Sequence, residues 1–435
     1  MSEKKQKELR FTSNNARRVI ARFDAGDVSS DGGLLLVREA DRRLGLTHAA
    51  ADCLSDKRQG GKVRHGARKL LGQRVYGLVA GYEDLNDFDQ LKDDPLWQAL
   101  AGEGEQLGGM STLSRFENAQ ERSSALALNR LLVDQFLDSF DQAPERIILD
   151  FDATDDRVHG KQEGRFFHAY YGDYCFLPLY VFCGSQLLVA YLRPSNIDAA
   201  KHAGAILKLL TEHIRKRFPN TKIVFRADSG FCRHRTLGWC ERHGVDYIVG
   251  IARNPRLQRF GQSLQTRAAE AFEAQGCKQK LFGELSYAAG SWKRKRRVIH
   301  KAEHTDKGAN PRFVVTSLSK EPESVYQQYC KRGEMENKIK EQMMLYSDRT
   351  SAHQWWANQW RVLLSSLAYV LMDTIRRLAL KDTELEKATV QTIRLKLVKI
   401  GCLFQRKSAR DVIRLSAACP FKEIFEHVAA RLRPT

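Results

Sequence analysis

Two aspartates close one apolar segment of this sequence, and their spacing limits what the chain can fold into. The segment spans residues 146–154 and has the sequence Arg-Ile-Ile-Leu-Asp-Phe-Asp-Ala-Thr. In a strand, Asp150 and Asp152 point to the same side. A buried strand rarely carries two carboxylates, because each costs free energy to remove from water unless it has a partner. The segment therefore predicts a strand whose carboxylates meet partners from elsewhere in the chain.

A second segment repeats this design at residues 222–230, Lys-Ile-Val-Phe-Arg-Ala-Asp-Ser-Gly. An apolar strand ends in Asp228, and Ser-Gly follows as a turn. Two strands that each deliver an aspartate at their C-terminal end indicate a divalent-metal site. On the first strand Asp150, Asp155 and Asp156 are alternatives, and we favour Asp152 because it closes the strand.

A third carboxylate is expected downstream, on a long helix predicted over residues 324–346. Four residues on this helix are spaced by three, four and four positions, so their side chains lie within roughly 80° of one another around the helix axis. They are Tyr329, Arg332, Glu336 and Lys340. Glu334 and Glu341 fall on the far side. The alternative is a solvated face held by pairs such as Glu336 with Lys340. The two strand-end aspartates favour Glu336 as the third acidic residue.

Three carboxylates suit one kind of chemistry. Phosphodiester cleavage uses two Mg²⁺ ions roughly 3.5–4 Å apart, which activate a nucleophile and stabilise the leaving oxygen. Carboxylate oxygens are ligands that Mg²⁺ prefers, and we expect Mn²⁺ to substitute. The nine cysteines are scattered and include no C-x2-C pair, so they indicate reduced core residues rather than a zinc site or a disulfide framework.

The order of predicted elements indicates the fold class. Residues 146–253 give three meandering strands, a helix, a strand, a helix and a strand, which is the α/β order of a ribonuclease H-like core. The predicted organisation is a mostly helical, DNA-end-binding region at 1–145, the first part of the core at 146–253, a β-rich insertion at 254–323, the catalytic helix and the next helix at 324–380, and a mixed C-terminal region at 381–435.

Charge identifies a class of partner. The chain has 71 Lys and Arg against 52 Asp and Glu, a formal net charge of +19. Such an excess indicates a polyanion, most simply nucleic acid, with an anionic membrane surface as the alternative. No apolar run approaches the ~20 residues of a membrane span, and the polar first residues do not resemble a signal peptide. We therefore expect a cytoplasmic protein.

Two local features are candidates for DNA contact. Trp292 precedes a run of five cations, Lys293, Arg294, Lys295, Arg296 and Arg297. Such cations give affinity for phosphates without reading sequence, and Trp292 would either stack on an unpaired base or pack in a small core. Near residues 109–118 a Gly turn precedes a short helix, which suits helix-turn-helix recognition through Arg115. An ordinary bundle helix is the alternative there.

The motifs together resemble a known family. Asp152-Ala-Thr, Arg226-Ala-Asp228-Ser-Gly-Phe231 and Tyr329-x2-Arg332-x3-Glu336 are similar to those of the DDE transposases of bacterial insertion sequences, in the cut-and-paste group with a β-strand insertion. The family pattern continues with a lysine seven residues after the glutamate, where this chain has Met343. Lys340 is the candidate replacement, so the basic partner stays open.

The resemblance implies a function. It implies Asp152, Asp228 and Glu336 as catalytic metal ligands, Tyr329, Arg332 and Lys340 as DNA contacts, terminal inverted repeats as substrate, and strand transfer into target DNA. A homodimer is expected because two ends must be brought together, in a bacterial protein that associates with the nucleoid when bound to DNA. The alternatives are a ribonuclease H-like nuclease without strand transfer and a domesticated DNA-binding protein.

Overall fold

Helices and strands occupy most of the chain, which is a mixed α/β protein as the sequence predicts. The computed structural model describes residues 8–14, 17–59, 61, 63–102 and 105–433. These residues fall into two units, one formed by Met1–Ala119 with Leu367–Thr435 and the other by Gln120–Ser366. No helix in the described residues is long and apolar enough to cross a membrane.

The N-terminal part of the first unit begins with short strands and continues as helices. Its elements are β1 (Leu9–Asn14), β2 (Arg17–Ala21), β3 (Val28–Ser29), α1 (Leu34–Leu44), α2 (Leu46–Asp52), α3 (Ala67–Ala80), α4 (Phe88–Leu91), α5 (Pro95–Leu100) and α6 (Met110–Asn118). Helix α1 has the bounds that its apolar periodicity predicts, and Gly45, with a φ of 60°, ends it in the left-handed conformation that glycine adopts at low cost.

The second unit alternates strands and helices. Its elements are α7 (Arg122–Asp138), β4 (Arg146–Ala153), β5 (Asp156–Arg157), β6 (Phe166–His168), β7 (Asp173–Phe176), β8 (Leu179–Cys183), β9 (Gln186–Tyr191), α8 (Ala203–Arg217), β10 (Lys222–Ala227), α9 (His234–Arg242), β11 (Asp246–Ile251), α10 (Pro255–Phe260), α11 (Gln262–Gln275), β12 (Gln279–Tyr287), β13 (Arg296–Thr305), β14 (Gly308–Ala309), β15 (Arg312–Thr316), α12 (Pro322–Cys330), α13 (Gly333–Met343) and the first part of α14 (Trp355–Thr374), whose residues from Leu367 onward belong to the first unit.

One mixed sheet organises this second unit. Its strand order is β12-β13-β15-β11-β10-β4-β8-β9. The central strands β4, β10 and β11 are parallel, whereas β4 pairs with β8, and β8 with β9, in antiparallel fashion. The strands of the predicted insertion join at the β11 edge through β15. The insertion therefore lengthens the sheet of the unit instead of forming a separate one.

The predicted helix over residues 324–346 is interrupted. Helix α12 ends at Cys330 and α13 begins at Gly333, with a turn at 331–332 in which the amide of Met335 donates to the carbonyl of Arg332 over 2.9 Å. Glycine at position 333 has a low helix propensity, which favours a break there. The prediction of one continuous helical stripe was wrong for Tyr329, which belongs to the preceding helix.

The C-terminal segment completes the first unit. After a π-helical turn at Ile375–Ala379 follow α15 (Val390–Ile393), a second π-helical turn at Arg394–Val398, β16 (Cys402–Lys407), β17 (Arg410–Leu415) and α16 (Lys422–Leu432). Strand β16 pairs with both β17 and the N-terminal β3. A Cβ at Gly33 would lie 1.7 Å from the carbonyl oxygen of Leu397, so this close approach requires glycine at position 33.

A buried aspartate links the two segments of the first unit. Asp31 is 1% exposed and accepts hydrogen bonds from the Tyr82 hydroxyl and the Trp97 indole at 2.9 Å each. It also accepts a hydrogen bond from the Lys399 ammonium at 2.8 Å. We call Asp31 with these three donors the Asp31 cluster. Because donors surround the carboxylate, its burial is offset by hydrogen bonds and one ion pair.

Candidate active site

The two strand-end aspartates lie on neighbouring strands. In the parallel pair β4–β10, Ala227 pairs with Phe151, and Asp228 and Asp152 are the next residues on their strands. The side chains of Ile147, Leu149 and Phe151 are fully buried on one face of β4, which leaves the aspartates on the other face. The pleat and the parallel register therefore place both carboxylates at the same edge of the sheet.

Asp150 has a different partner from Asp152. The parallel register pairs Asp150 with Arg226, and the arginine donates two hydrogen bonds to this carboxylate, at 2.5 and 2.6 Å. Both side chains are buried, and the third guanidinium nitrogen donates to the carbonyl of Gln328. A bidentate pair of this kind gives each carboxylate oxygen a charged donor. Asp150 thus anchors α12 to the sheet, and Asp152 is the carboxylate left at the strand end.

Arg332 connects the first and third predicted catalytic residues. One of its guanidinium nitrogens donates to the Asp152 carboxylate at 2.9 Å, and the other donates to Glu336 at 3.2 Å. Arg332 lies in the turn between α12 and α13, and Glu336 lies in the first turn of α13, four residues later. The helix break therefore brings the guanidinium and the glutamate to the strand end. We call Asp152, Asp228, Arg332 and Glu336 the Asp152 cluster.

The electrostatics of the cluster are those of crowded carboxylates. Burial raises the pKa of Asp152 to about 6, and the charges of Asp228 and Glu336 add to this rise. The Arg332 guanidinium and the amide of Ala153, which donates to Asp152 at 3.0 Å, oppose it. The rise shows that the guanidinium and the amide do not offset the cost of burying this carboxylate beside two others.

The neighbouring glutamates differ from Glu336 in position. Glu341 is buried and pairs with Lys338 at 3.1 Å. Glu334 is exposed, and its charge raises the pKa of Asp150 instead of that of Asp152. Glu336 thus acts electrostatically on Asp152, whereas Glu334 acts on the structural pair behind it.

A glycine at position 250 leaves room for the Tyr329 side chain near Asp228. A Cβ at Gly250, on β11, would lie 2.5 Å from the Tyr329 hydroxyl and 2.9 Å from the amide of Ser229. Burial raises the pKa of Tyr329, and the charge of Asp228 raises it further. Asp228 itself accepts a hydrogen bond from the amide of Gly230 at 2.8 Å. The absence of a side chain at position 250 lets the phenol reach the ends of β10 and β11.

The donor set of the cluster fits a divalent metal ion. Among the described residues, no three His, Cys, Asp or Glu side chains are gathered closely enough to form a ready-made metal site. Arg332 instead contacts two of the three carboxylates. Carboxylate oxygens are the hard ligands that Mg²⁺ takes. The raised pKa of Asp152 also indicates a place where added positive charge is stabilising. Asp152, Asp228 and Glu336 are the residues that would hold such an ion.

The five cations at residues 293–297 are less accessible to a DNA ligand than their sequence suggests. Arg296 is 8% exposed and forms an ion pair with Glu241 at 2.8 Å, and Arg294 contacts the same carboxylate. Arg297 pairs with Glu284 and donates to two backbone carbonyls. Lys293 and Lys295 are exposed. Three of the five cations therefore have protein partners, and of these three Arg294 is exposed, as the two lysines are.

The other predicted DNA contacts lie on different elements of the chain. Trp292 is half-buried against Tyr287, with ring centroids 5.7 Å apart, and the Arg296 guanidinium covers its ring at 4.9 Å. Lys340 is exposed on α13, one turn beyond Glu336. Arg115 is exposed on α6, in the first unit.

One pair of site residues was not recognised in the sequence. The Asp150–Arg226 pair holds α12 at the strand ends, and neither residue was assigned this role. A signal was present, since aligning Asp152 with Asp228 on parallel strands also aligns Asp150 with Arg226.

Comparison with known proteins identifies the sequence family to which this chain belongs. The model of a family described as "Transposase DDE domain group 1" matches residues 11–435, nearly the whole chain. No curated protein sequence matches the chain. Among solved structures, a cryo-EM structure of a piggyBac transposase synaptic complex with hairpin DNA matches with 11% identity and a TM-score of 0.41, covering 94% of this chain and 86% of that one.

Proposed function

Because the chain belongs to the DDE transposase family and is a DNA-cleaving transposase, we propose that Asp152, Asp228 and Glu336 bind two Mg²⁺ ions and cut DNA at the ends of a mobile element. The ion pairs of Arg332 with Asp152 and Glu336, beside the neighbouring strand that leads into Asp228, are the observation that carries the proposal. The reaction proposed is cut-and-paste transposition, in which the released 3′ hydroxyl is joined to target DNA.

The residues of the cluster have distinct roles in this proposal. When bound, the metal ions supply activation of the attacking hydroxyl and stabilisation of the leaving oxygen. The Arg332 guanidinium favours the ionised form of Asp152, which a metal ligand requires. Its planar fork also suits bidentate contact with a phosphate. We assign to the Tyr329 hydroxyl, which lies near Asp228, a hydrogen bond to DNA.

The strand order supports a ribonuclease H-like assignment for the core. From β9 to β11 the order is β9-β8-β4-β10-β11, with β4, β10 and β11 parallel and β8 antiparallel to both of its neighbours. In this assignment the acidic residues come from the first and fourth core strands and from the helix that follows the inserted strands. The two units divide after residues 119 and 366, and the domain limits predicted from the sequence, at 145, 253, 323 and 380, remain a proposal.

The partners follow from the reaction and the charge. The net charge of +19 supports binding of double-stranded DNA, both as terminal inverted repeats and as target. Two ends must be held together for one cut-and-paste event, so a homodimer in the bacterial cytoplasm, associated with the nucleoid, is proposed. Lys293, Arg294, Lys295, Lys340 and Arg115 are the exposed candidates for DNA contact.

The proposal is tested by single substitutions in a cleavage assay on DNA that carries the element's ends, with Mg²⁺ present. Asp152→Ala, Asp228→Ala and Glu336→Ala should each lower the single-turnover cleavage rate by at least about 100-fold, the loss typical for removal of one electrostatic group from an active site. DNA affinity, which arises from distributed cations, should be nearly unchanged.

Glu334→Ala is the matched control, because Glu334 is an exposed carboxylate in the same turn of α13 and does not act on Asp152. It should cleave like the wild type. A Glu334→Ala protein without activity, beside an active Glu336→Ala protein, would contradict the assignment. Joining of a pre-cut 3′ hydroxyl end to target DNA separates a transposase from a nuclease without strand transfer.

A further inference from the structure

A basic cavity lies in the first unit, between α1 and α3. It has a volume of about 240 Å³. Arg38 and Arg42 of α1 and Arg68 and Lys69 of α3 line it, and Asp41 is the carboxylate among the described residues of its wall. Four cations and one carboxylate give this wall an excess of positive charge, which attracts anions.

Helical spacing directs these side chains to the cavity. Arg38 and Arg42 are one turn apart on α1, and Arg68, Gly72 and Tyr76 follow at successive turns of α3. Residues four apart lie on the same face of a helix. The cavity is therefore bounded by one stripe from each helix.

The floor of the cavity is rigid. Asp41 is 6% exposed and accepts hydrogen bonds from the amide and the hydroxyl of Thr47, at 2.8 and 2.5 Å. The Tyr76 hydroxyl donates to the same carboxylate at 2.8 Å. Three donors occupy the Asp41 oxygens, so this carboxylate holds α1, α2 and α3 together.

The N-terminal end of helix α3 adds a positive electrostatic potential that favours an anion. Arg68 and Lys69 lie in the first turn of this 14-residue helix, which carries no acidic residue there. The Gly66 cap provides no side-chain hydrogen bond to the first amides. The N-terminal end of a helix carries a partial positive charge that attracts anions. The helix dipole and the cationic side chains therefore attract the same kind of ligand.

Gly72 keeps the cavity open. It is buried, yet a Cβ at this position would meet no atom within 4 Å. A buried glycine usually has close neighbours, since protein interiors are densely packed. Open space beside Gly72 thus belongs to the cavity, and a larger side chain at position 72 would fill it.

The size and the charge of the cavity identify its ligand. Pockets for small molecules usually enclose roughly 300–1,000 Å³, so 240 Å³ suits a phosphate group better than a whole nucleotide. Glu105 pairs with Lys69 at 2.6 Å and Glu39 with Arg42 at 3.9 Å, without lining the cavity. Partly exposed pairs of this kind are weak, so they yield to a phosphate.

We propose that this cavity binds a phosphate of the DNA backbone, an inference that rests on the proposed function as a DNA-cleaving enzyme. The contact adds affinity and fixes the position of the duplex on the first unit, without reading its sequence. This role differs from the base contact expected of Arg115 on α6.

The first test compares charge variants of the full chain. Arg38→Gln/Arg42→Gln should bind a random-sequence duplex about tenfold more weakly than the wild type, the effect expected for a lost charged hydrogen bond. The slope of log affinity against log salt should flatten by about 0.9 per lost phosphate contact. Lys381→Gln/Lys387→Gln removes the same charge from exposed sites in the same unit and should have a smaller effect.

The second test fills the cavity without changing charge. Gly72→Leu should weaken duplex binding to a similar extent, whereas Gly72→Ala should bind nearly as well as the wild type. Thermal unfolding of each variant shows whether it is folded. Wild-type affinity and salt slope in both Arg38→Gln/Arg42→Gln and Gly72→Leu would overturn the proposal.

A third measurement separates the two sources of phosphate. Inorganic phosphate is added to the wild type and to Arg38→Gln/Arg42→Gln, and the thermal unfolding midpoint and the duplex affinity are measured for both. If phosphate raises the midpoint of the wild type alone while both proteins bind duplex equally, the cavity binds a free anion and the proposal fails. Failure of the proposed function has a different signature, a wild-type protein that binds duplex through the cavity and cleaves no element end.

Discussion

Two buried aspartates illustrate how this chain separates stability from chemistry. Asp31 is 1% exposed and is surrounded by donors, the Tyr82 hydroxyl, the Trp97 indole and the Lys399 ammonium. Asp152 is 9% exposed, with one guanidinium and one amide as partners. The Asp31 carboxylate has one ammonium and two neutral donors as partners and Asp94 as a neighbouring carboxylate, whereas Asp152 has fewer donors and two neighbouring carboxylates.

The two aspartates differ in the charge that surrounds them. Donors converge on Asp31 from positions as distant as 82 and 399, so its charge links the segments of its unit. Around Asp152, Asp228 and Glu336 add negative charge and help to raise its pKa to about 6. Perturbed carboxylates of this kind are concentrated at functional sites. The Asp31 cluster is complete within the chain, while the Asp152 cluster is arranged for an additional cation.

The largest effect is expected at the structural cluster. Asp31→Ala should lower the free energy of unfolding by about 3–5 kcal/mol, because it leaves Lys399 and two buried donors without their acceptor. Urea unfolding measures this change. Asp152→Ala, which removes a crowded charge, should leave the free energy of unfolding unchanged or higher. Equal destabilisation by both substitutions would contradict the comparison.

Substitution of the cationic partners should affect cleavage at Asp152 and stability at Asp31. Arg332→Gln should slow single-turnover cleavage by about 10–100-fold, the loss typical when a partner of a metal ligand is removed. Lys399→Gln should reduce stability and leave the cleavage rate of the folded protein unchanged. A cleavage rate that falls equally in both variants would remove the distinction between the clusters.

The smallest effect concerns pH in protein free of divalent ions. Asp152 has a pKa of about 6 in the folded chain, above its ordinary value of 3.8. Its protonated form is favoured by folding, so this carboxyl contributes stability below about pH 4 that is lost as the pH rises through 6. The loss is on the order of 2 kcal/mol.

The corresponding measurement is the difference between wild type and Asp152→Asn across this pH range, which cancels the titration of other groups. The asparagine variant should gain stability relative to the wild type as the pH rises from 4 to 6. A constant difference between the two proteins would mean that the carboxyl has an ordinary pKa.

Parts of this architecture follow from sequence because they depend on local periodicity. The strand ending in Asp152, the strand ending in Asp228 and helix α1 come from apolar patterns that neighbouring residues determine. Parallel strands align their C-terminal ends, so the proximity of the two aspartates was predictable.

Other parts depend on contacts between distant residues, which periodicity does not report. The turn at residues 331–332 divides a segment whose helical pattern continues without interruption. Arg296 is buried because Glu241, 55 residues earlier, forms a pair with it, and the run of cations in the sequence gives no sign of this. The partners of Asp31 are likewise scattered over the chain.

The central claim is that Asp152, Asp228 and Glu336 are ligands of catalytic metal ions, and a change of metal preference tests it most directly. Replacing each with cysteine introduces a soft ligand in place of a hard one. We predict that these variants fail to cleave DNA with Mg²⁺ and recover cleavage with Mn²⁺ or Cd²⁺, while Glu334→Cys cleaves with Mg²⁺ like the wild type. Cleavage with Mg²⁺ by Asp152→Cys or Glu336→Cys at the wild-type rate would contradict the account.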